Sequence, residues 1–326
     1  MKVQELRNLL SASDRKNLEK AFVESYKQLR KAQKEEIDPI LTDILEGKSI
    51  EKKKTAANIS FEELEQQIKD FIENAYAQNY LAPNRAVPKN QRPKWRFLVK
   101  NFIKELEKIP PENSNYSKAV KLLTELYQLI CEACNYYLFS TDDPFRSIGW
   151  EQAALFELLV KKTFGDGYSR EKISSLLQYA ATGGLSRESL HIYQEEALLH
   201  GLKTSDVKYT AMEKAKKLVE TRAEKLVGLT KYSSKRFQLE DEINEFCKMI
   251  LMTSIELSEP EPGLDYFFQH TNYQEREITL YCALDLISYM EADDLWLTVY
   301  ENYGIKKKIK PRDYLVREYE ERKNSV

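Results

Sequence analysis

Glycine and proline are scarce in this chain, ten of each in 326 residues. That argues against a sheet-rich fold punctuated by Gly turns. Cysteine is rarer still: four residues make no disulfide framework, and they point to a reducing cytoplasm. Only three histidines are present, His191, His200 and His270, which leaves little material for metal or proton-relay chemistry. No hydrophobic run approaches a membrane span; Met249 to Met252, all large and aliphatic, is only four residues. The amino-terminal MKVQELRNLLSASDRK carries charges throughout, with no apolar core of signal-peptide length. Net charge is scarce too: 50 basic and 52 acidic residues give −2, so nothing in the overall balance draws the chain to nucleic acid or membrane. Glycine-rich phosphate loops, a G-x-S-x-G elbow and paired His-Glu zinc motifs are all missing.

What is abundant is apolar residues at helical spacing. Hydrophobics make up 42% and aromatics 11% of the chain, too many for a disordered one. Leu18, Ala21, Phe22, Leu29 and Ala32 line one face. Leu64, Ile68, Phe71, Ile72 and Ala75 line another, and Trp95, Leu98, Val99, Phe102, Ile103 and Leu106 form a third stripe. Similar patterns run through 117–139, 149–163, 171–181, 188–200, 207–227, 236–257, 273–290, 294–303 and 312–323. Ser60 with Glu63 and Asn272 with Glu275 fit helix caps answered by an acid, and Ser169, Ser186 and Ser205 fit further caps. Gly47, Gly201 and Gly304 fall where a helix ends, and Pro110-Pro111 and Pro260-Glu261-Pro262-Gly263 read as breaks. The pattern predicts an all-α protein of about 11 to 13 helices joined by short turns.

Helices 171–181 and 188–200, joined by Thr182-Gly183-Gly184-Leu185-Ser186, form the clearest hairpin. The expected arrangement is antiparallel pairs, which in architecture resembles an irregular α-solenoid of the HEAT or armadillo type. A two-lobed helical bundle is the alternative, since no signature repeats at a period near about 40 residues. A division near 140–148 predicts an N-terminal lobe, 1–140, and a C-terminal lobe, 149–326, with one continuous domain as the other reading. Residues 47–59, with Lys52-Lys53-Lys54, and 80–93, with Pro83, Pro88 and Pro93, read as loops.

Charge is segregated along the chain. Residues 74–104 hold no Asp or Glu but seven bases: Arg85, Lys89, Arg92, Lys94, Arg96, Lys100 and Lys104. On a helical wheel Arg96, Lys100, Lys104 and Lys108 form one ridge, and Phe97 falls about 200° from Trp95, beside that ridge and away from the core stripe. A cationic ridge with an outward aromatic suits an acidic protein surface or a phosphate backbone; solvated lysines with Phe97 packed on a neighbour are the plainer reading. Between Glu256 and Asp294 stand ten acids and one base, Arg276, and Lys306, Lys307, Lys308, Lys310 and Arg312 then reverse the sign. These blocks fit an intramolecular clasp, two partner surfaces or plain solubility.

Other constellations read as structural. Cys131-Glu132-Ala133-Cys134 is a C-x-x-C without a second pair, which suits buried small side chains rather than zinc. Glu196 and His200 share a helix face without further ligands, and His200 before Gly201 suits a helix C-terminus. Tyr300, Tyr303, Tyr314 and Tyr319 crowd the C-terminal part beside bases, as interface anchors or as packing.

The sequence therefore predicts a non-enzymatic cytoplasmic scaffold or adaptor binding a macromolecular partner, a protein or else a nucleic acid, through Arg92, Lys94, Arg96, Phe97, Lys100 and Lys104 in the basic segment 85–108. No motif points to a cofactor, metal, membrane or small-molecule ligand. Two alternatives stand beside it: a nucleic-acid-binding helical-repeat protein that processes DNA, and an enzyme of unrecognised type with a deep pocket of perturbed titratable groups.

Overall fold

The computed structural model describes residues 3–29, 34, 37–38, 41–42, 44–46, 60–81 and 84–325. Among these there are fifteen α-helices and no strand, in agreement with the all-α expectation. The chain divides into two compact units, Met1–Ser60 and Phe61–Val326.

The first unit contains α1 (Val3–Ala12) and α2 (Arg15–Lys27). Asp14 caps α2, its carboxylate accepting from the Asn17 amide at 2.9 Å. The face drawn from Leu18, Ala21 and Phe22 is helical but not a core: no residue of α2 is buried. Ala32, Gly47 and the lysines of 47–59 lie outside the described residues.

The second unit begins with α3 (Phe61–Tyr76), directly after Ser60, and buries Leu64, Ile68, Phe71 and Ala75 as their spacing requires. Next come α4 (Trp95–Glu107), α5 (Tyr116–Asn135), the short α6 (Pro144–Ile148) and α7 (Gln152–Phe164). They are followed by α8 (Arg170–Ala181), α9 (His191–Gly201), α10 (Ser205–Leu226) and α11 (Ser234–Glu256). The chain closes with α12 (Pro260–His270), α13 (Arg276–Tyr289), α14 (Asp293–Val299), a π turn (Tyr300–Ile305) and α15 (Asp313–Ser325). Consecutive helices pack together at α4–α5, α5–α6, α7–α8, α8–α9 and from α10 through α15, and next-but-one pairs do as well: α3 with α5, α4 with α6, α5 with α7, α7 with α9, α8 with α10 and α9 with α11.

Several local expectations change on contact with the fold. Pro260-Glu261-Pro262-Gly263 is not a break but the first turn of α12, because proline fits N1, where its missing N–H is no loss. Gly263 there lies so close to α11 that a Cβ would stand 2.5 Å from Ser254 Oγ. Leu98 is 39% exposed and leaves the core stripe that Trp95, Val99, Phe102, Ile103 and Leu106 form. Ser169 caps α8 as expected. Thr204 rather than Ser205 caps α10, Glu275 rather than Asn272 occupies the N-cap of α13, and Leu190 rather than Ser186 that of α9. Gly201 ends α9 and Gly304 sits inside the π turn; neither takes the left-handed conformation, which Gly149 adopts at the end of α6 (φ 69°).

The segment 140–148, where a division was expected, carries α6 and is tied across the fold. Asp143 caps α6 through the Arg146 amide and accepts from Ser186 Oγ at 2.7 Å and the Arg187 amide at 3.2 Å. Gln152 accepts from the Ser186 amide at 2.8 Å and donates to Gly184 O at 3.1 Å. Ser186 is therefore not a helix cap; it satisfies a buried carboxylate.

Candidate functional site

The basic segment divides into a loop, a single 3₁₀ turn (Arg92–Lys94) and α4. Arg92 is a structural residue: its guanidinium donates to Val87 O at 3.0 Å and Asn84 O at 3.3 Å, bracing the loop. Trp95 is buried, stacked on Phe139 with ring centroids 4.0 Å apart. Arg85, Lys89, Lys94, Arg96, Lys100 and Lys104 are exposed and pair with no carboxylate among the described residues. Lys108 instead meets Glu105 at 2.6 Å. Phe97 is 55% exposed, and the Arg96 guanidinium lies over its ring at 5.0 Å. Lys100 Nζ abuts the end of α6, 3.4 Å from where a Cβ on Gly149 would stand, and a cation is favoured at a helix C-terminus. Of the six residues expected to act together, Lys94, Arg96, Phe97, Lys100 and Lys104 thus stay on the surface and Arg92 turns inward.

The acidic block finds its bases elsewhere. Glu256 pairs with Lys208 at 2.8 Å, Glu277 with Arg312 at 3.1 Å and Asp293 with Arg322 at 2.5 Å. Glu259 accepts from Tyr209 and Asp265 from Tyr303. These partners come from α10, the π turn and the C-terminal segment, not from 85–108.

A second arrangement was not anticipated. Glu195 of α9 is fully buried, 0% exposed, and neither carboxylate oxygen has a hydrogen-bond donor. It faces Glu245 and Lys248 of α11; Lys248 donates to Glu245 Oε1 at 2.7 Å, and Glu245 Oε2 is left without a donor. Desolvation first and then the Glu245 charge push the Glu195 carboxyl well above the usual carboxylate range. Burial raises Asp241 too, although less of it is covered. The signal was present in the sequence: Leu198 and Leu199, three and four residues on, place Glu195 on the apolar face of its helix.

The neighbouring Glu196, about 100° round the helix, lines a cleft of about 760 Å³ together with Trp150, Gln152, Glu157, Tyr193 and His200. Glu196 accepts from Tyr289 at 2.5 Å. Glu195, Glu245 and Lys248 do not line that cleft. Cys131 and Cys134 have thiols pushed up to about 12 by burial, and a Cβ on Gly184 would lie 2.1 Å from Cys131 O. The C-x-x-C is thus the surface against which the 182–186 loop packs. Among the described residues no group of three His, Cys, Asp or Glu side chains could hold a metal ion, and no helix is long and apolar enough to cross a membrane. In comparison with known proteins, the chain matches no family model, no curated protein and no solved structure.

Proposed function

We propose that this chain is a non-enzymatic helical scaffold that docks an acidic macromolecular partner, a protein in the first instance, through the outward face of α4. The observation that carries the reading is the uncompensated charge: six exposed bases between residues 85 and 104 pair with no carboxylate among the described residues, beside an exposed Phe97. Arg312 and Arg322, by contrast, find carboxylates within the fold. An unpaired ridge with an aromatic beside it suits electrostatic steering followed by one apolar anchor. The contacts between next-but-one helices support an irregular α-solenoid, in which each helix pair packs on the next. Four free thiols support a reducing, cytoplasmic setting.

Nucleic acid is the second reading, favoured by the Arg96–Phe97 pair, which offers a flat stacking surface within a cationic ridge. Titrating the wild type and an R96E/K100E/K104E variant with polyglutamate and with duplex DNA separates the two. Binding of polyglutamate that the variant loses while its circular dichroism is unchanged supports the protein-docking reading. Binding of DNA alone, with a log–log salt slope approaching about −0.9 per phosphate neutralised, supports the second. Equal binding by wild type and variant rejects both.

A further inference from the structure

The Glu195–Glu245–Lys248 cluster poses a problem of charge. Two carboxylates and one ammonium, all ionised, leave one net negative charge on a cluster in which Glu195 is fully buried and Glu245 and Lys248 are 13% and 24% exposed. An isolated buried charge costs so much that the group neutralises instead. The unpartnered atoms show how: Lys248 occupies Glu245 Oε1, while Glu245 Oε2 and both oxygens of Glu195 lack donors and the two carboxyl groups face each other. One added proton supplies the missing donor and removes the excess charge together.

We infer that Glu195 and Glu245 form a buried proton-binding site, in which Glu195 as the neutral acid donates to Glu245 Oε2 and Lys248 closes the other side. A row from Lys248 to Glu245 to Glu195 then carries no net charge and joins α11 to α9. Other groups face this row from each packed element. Asp241 lies on α11 and His191 on α9; Cys282 lies on α13, with Tyr273 before it; and Tyr289 of α13 contacts Glu196 and interacts with Glu195. Lys248 already pairs with Glu245 at 2.7 Å, and its ammonium is held above its usual range by the Glu245 and Glu195 charges despite desolvation. Among the described residues, Lys248 is the one cation that faces Glu195.

The sign follows from linkage. The unfolded Glu195 loses its proton at an ordinary value near about 4.3. The folded one retains it to much higher pH, so the native state binds more protons and stability falls as pH rises between the two values. Relative to an E195Q variant, the folding equilibrium constant of the wild type should fall about tenfold per pH unit above the lower value, until the folded group itself titrates. Loss of the proton to solvent leaves two like charges facing each other, and the α9–α11 junction loosens beside the contact from Glu196 of α9 to Tyr289 of α13.

The test is urea unfolding of the full chain and of E195Q from about pH 5 to about pH 8, together with infrared difference spectroscopy at neutral pH. Diverging profiles, and a neutral-acid carbonyl band in the wild type that E195Q lacks, are the expected results. Parallel profiles or no such band would overturn the inference. Should E195Q fail to fold, the wild type minus E245Q difference spectrum decides. In E245Q the amide can donate to Glu195 and Lys248 is free to pair with it, so the acid band should vanish; an unchanged band overturns the shared proton.

Discussion

Trp95 and Phe139 stack in parallel, with ring centroids 4.0 Å apart and planes 12° apart, while Phe97, two residues along α4, faces outward. Trp95→Ala should cost about 3–5 kcal/mol, since it opens a cavity where Phe71, Tyr80 and Phe102 also meet. Phe97→Ala should stay within about 0.5 kcal/mol. Urea denaturation followed by circular dichroism measures both, and equal losses would contradict the placement.

Among the described residues Arg222 and Glu242 make the most enclosed ion pair, 2.6 Å long with side chains 13% and 10% exposed. Gln238 donates to the other Glu242 oxygen at 2.9 Å. Arg222→Met leaves a buried carboxylate without its cation and should cost about 3–5 kcal/mol. The double substitution R222M/E242L should recover most of that loss. A double-mutant cycle in chemical denaturation reads the coupling, and additivity would show that the pair is energetically idle.

Burial holds the thiols of Cys131, Cys134 and Cys247 up to about 12, against an ordinary 9.0. Native protein at mildly alkaline pH should therefore react with iodoacetamide only as fast as it unfolds, because the thiolate is the nucleophile. Unfolded thiols ionise first as pH rises through about 9, so stability should decline from there toward about 12. Alkylation rates with and without denaturant, read by mass spectrometry, check the first statement, and alkaline melting temperatures check the second.

Gly263→Ala places a methyl 2.5 Å from Ser254 Oγ and 3.2 Å from Leu251 Cα. Neither neighbour is the end of a long side chain, so α12 must move off α11. A loss of about 1–3 kcal/mol is expected. Gly167→Ala serves as the contrast: nothing lies within 4 Å of its Cβ position, so any cost there comes from backbone strain alone, at φ 108°. Thermal unfolding of both variants gives the comparison.

The helices were legible because apolar residues such as Leu64, Ile68, Phe71 and Ala75 recur at a spacing only one face can hold, and their burial follows. The same signal fails in α2, where the period is present but no residue of the helix is buried. Pro260 and Pro262 misled because proline breaks a helix interior yet suits its first turn, and position within the helix is not written in composition. Of the surface ridge, Phe97 was readable from its wheel angle, whereas the inward turn of Arg92 depends on carbonyls of a loop whose shape no periodicity encodes. Glu195 was missed for a different reason. A lone acid on an apolar stripe has an obvious position, but its meeting with Glu245 and Lys248, fifty residues on, exists only after α9 packs on α11.

The π turn at Tyr300–Ile305 spaces its bonds one residue wider than an α-helix, with Lys306 N reaching Glu301 O at 2.9 Å. Its consequence is one of phase. Within the turn the extra residue shifts the angular register, so that Trp296 and Tyr300 stack on one side while Tyr303 stacks on Phe268 at 4.1 Å. Deleting a single residue between Tyr300 and Tyr303 would rotate the Tyr303 side chain by about 100° relative to Tyr300. Its ring would then leave Phe268 and its hydroxyl would leave Asp265, so one wide turn aims a single tyrosine onto α12.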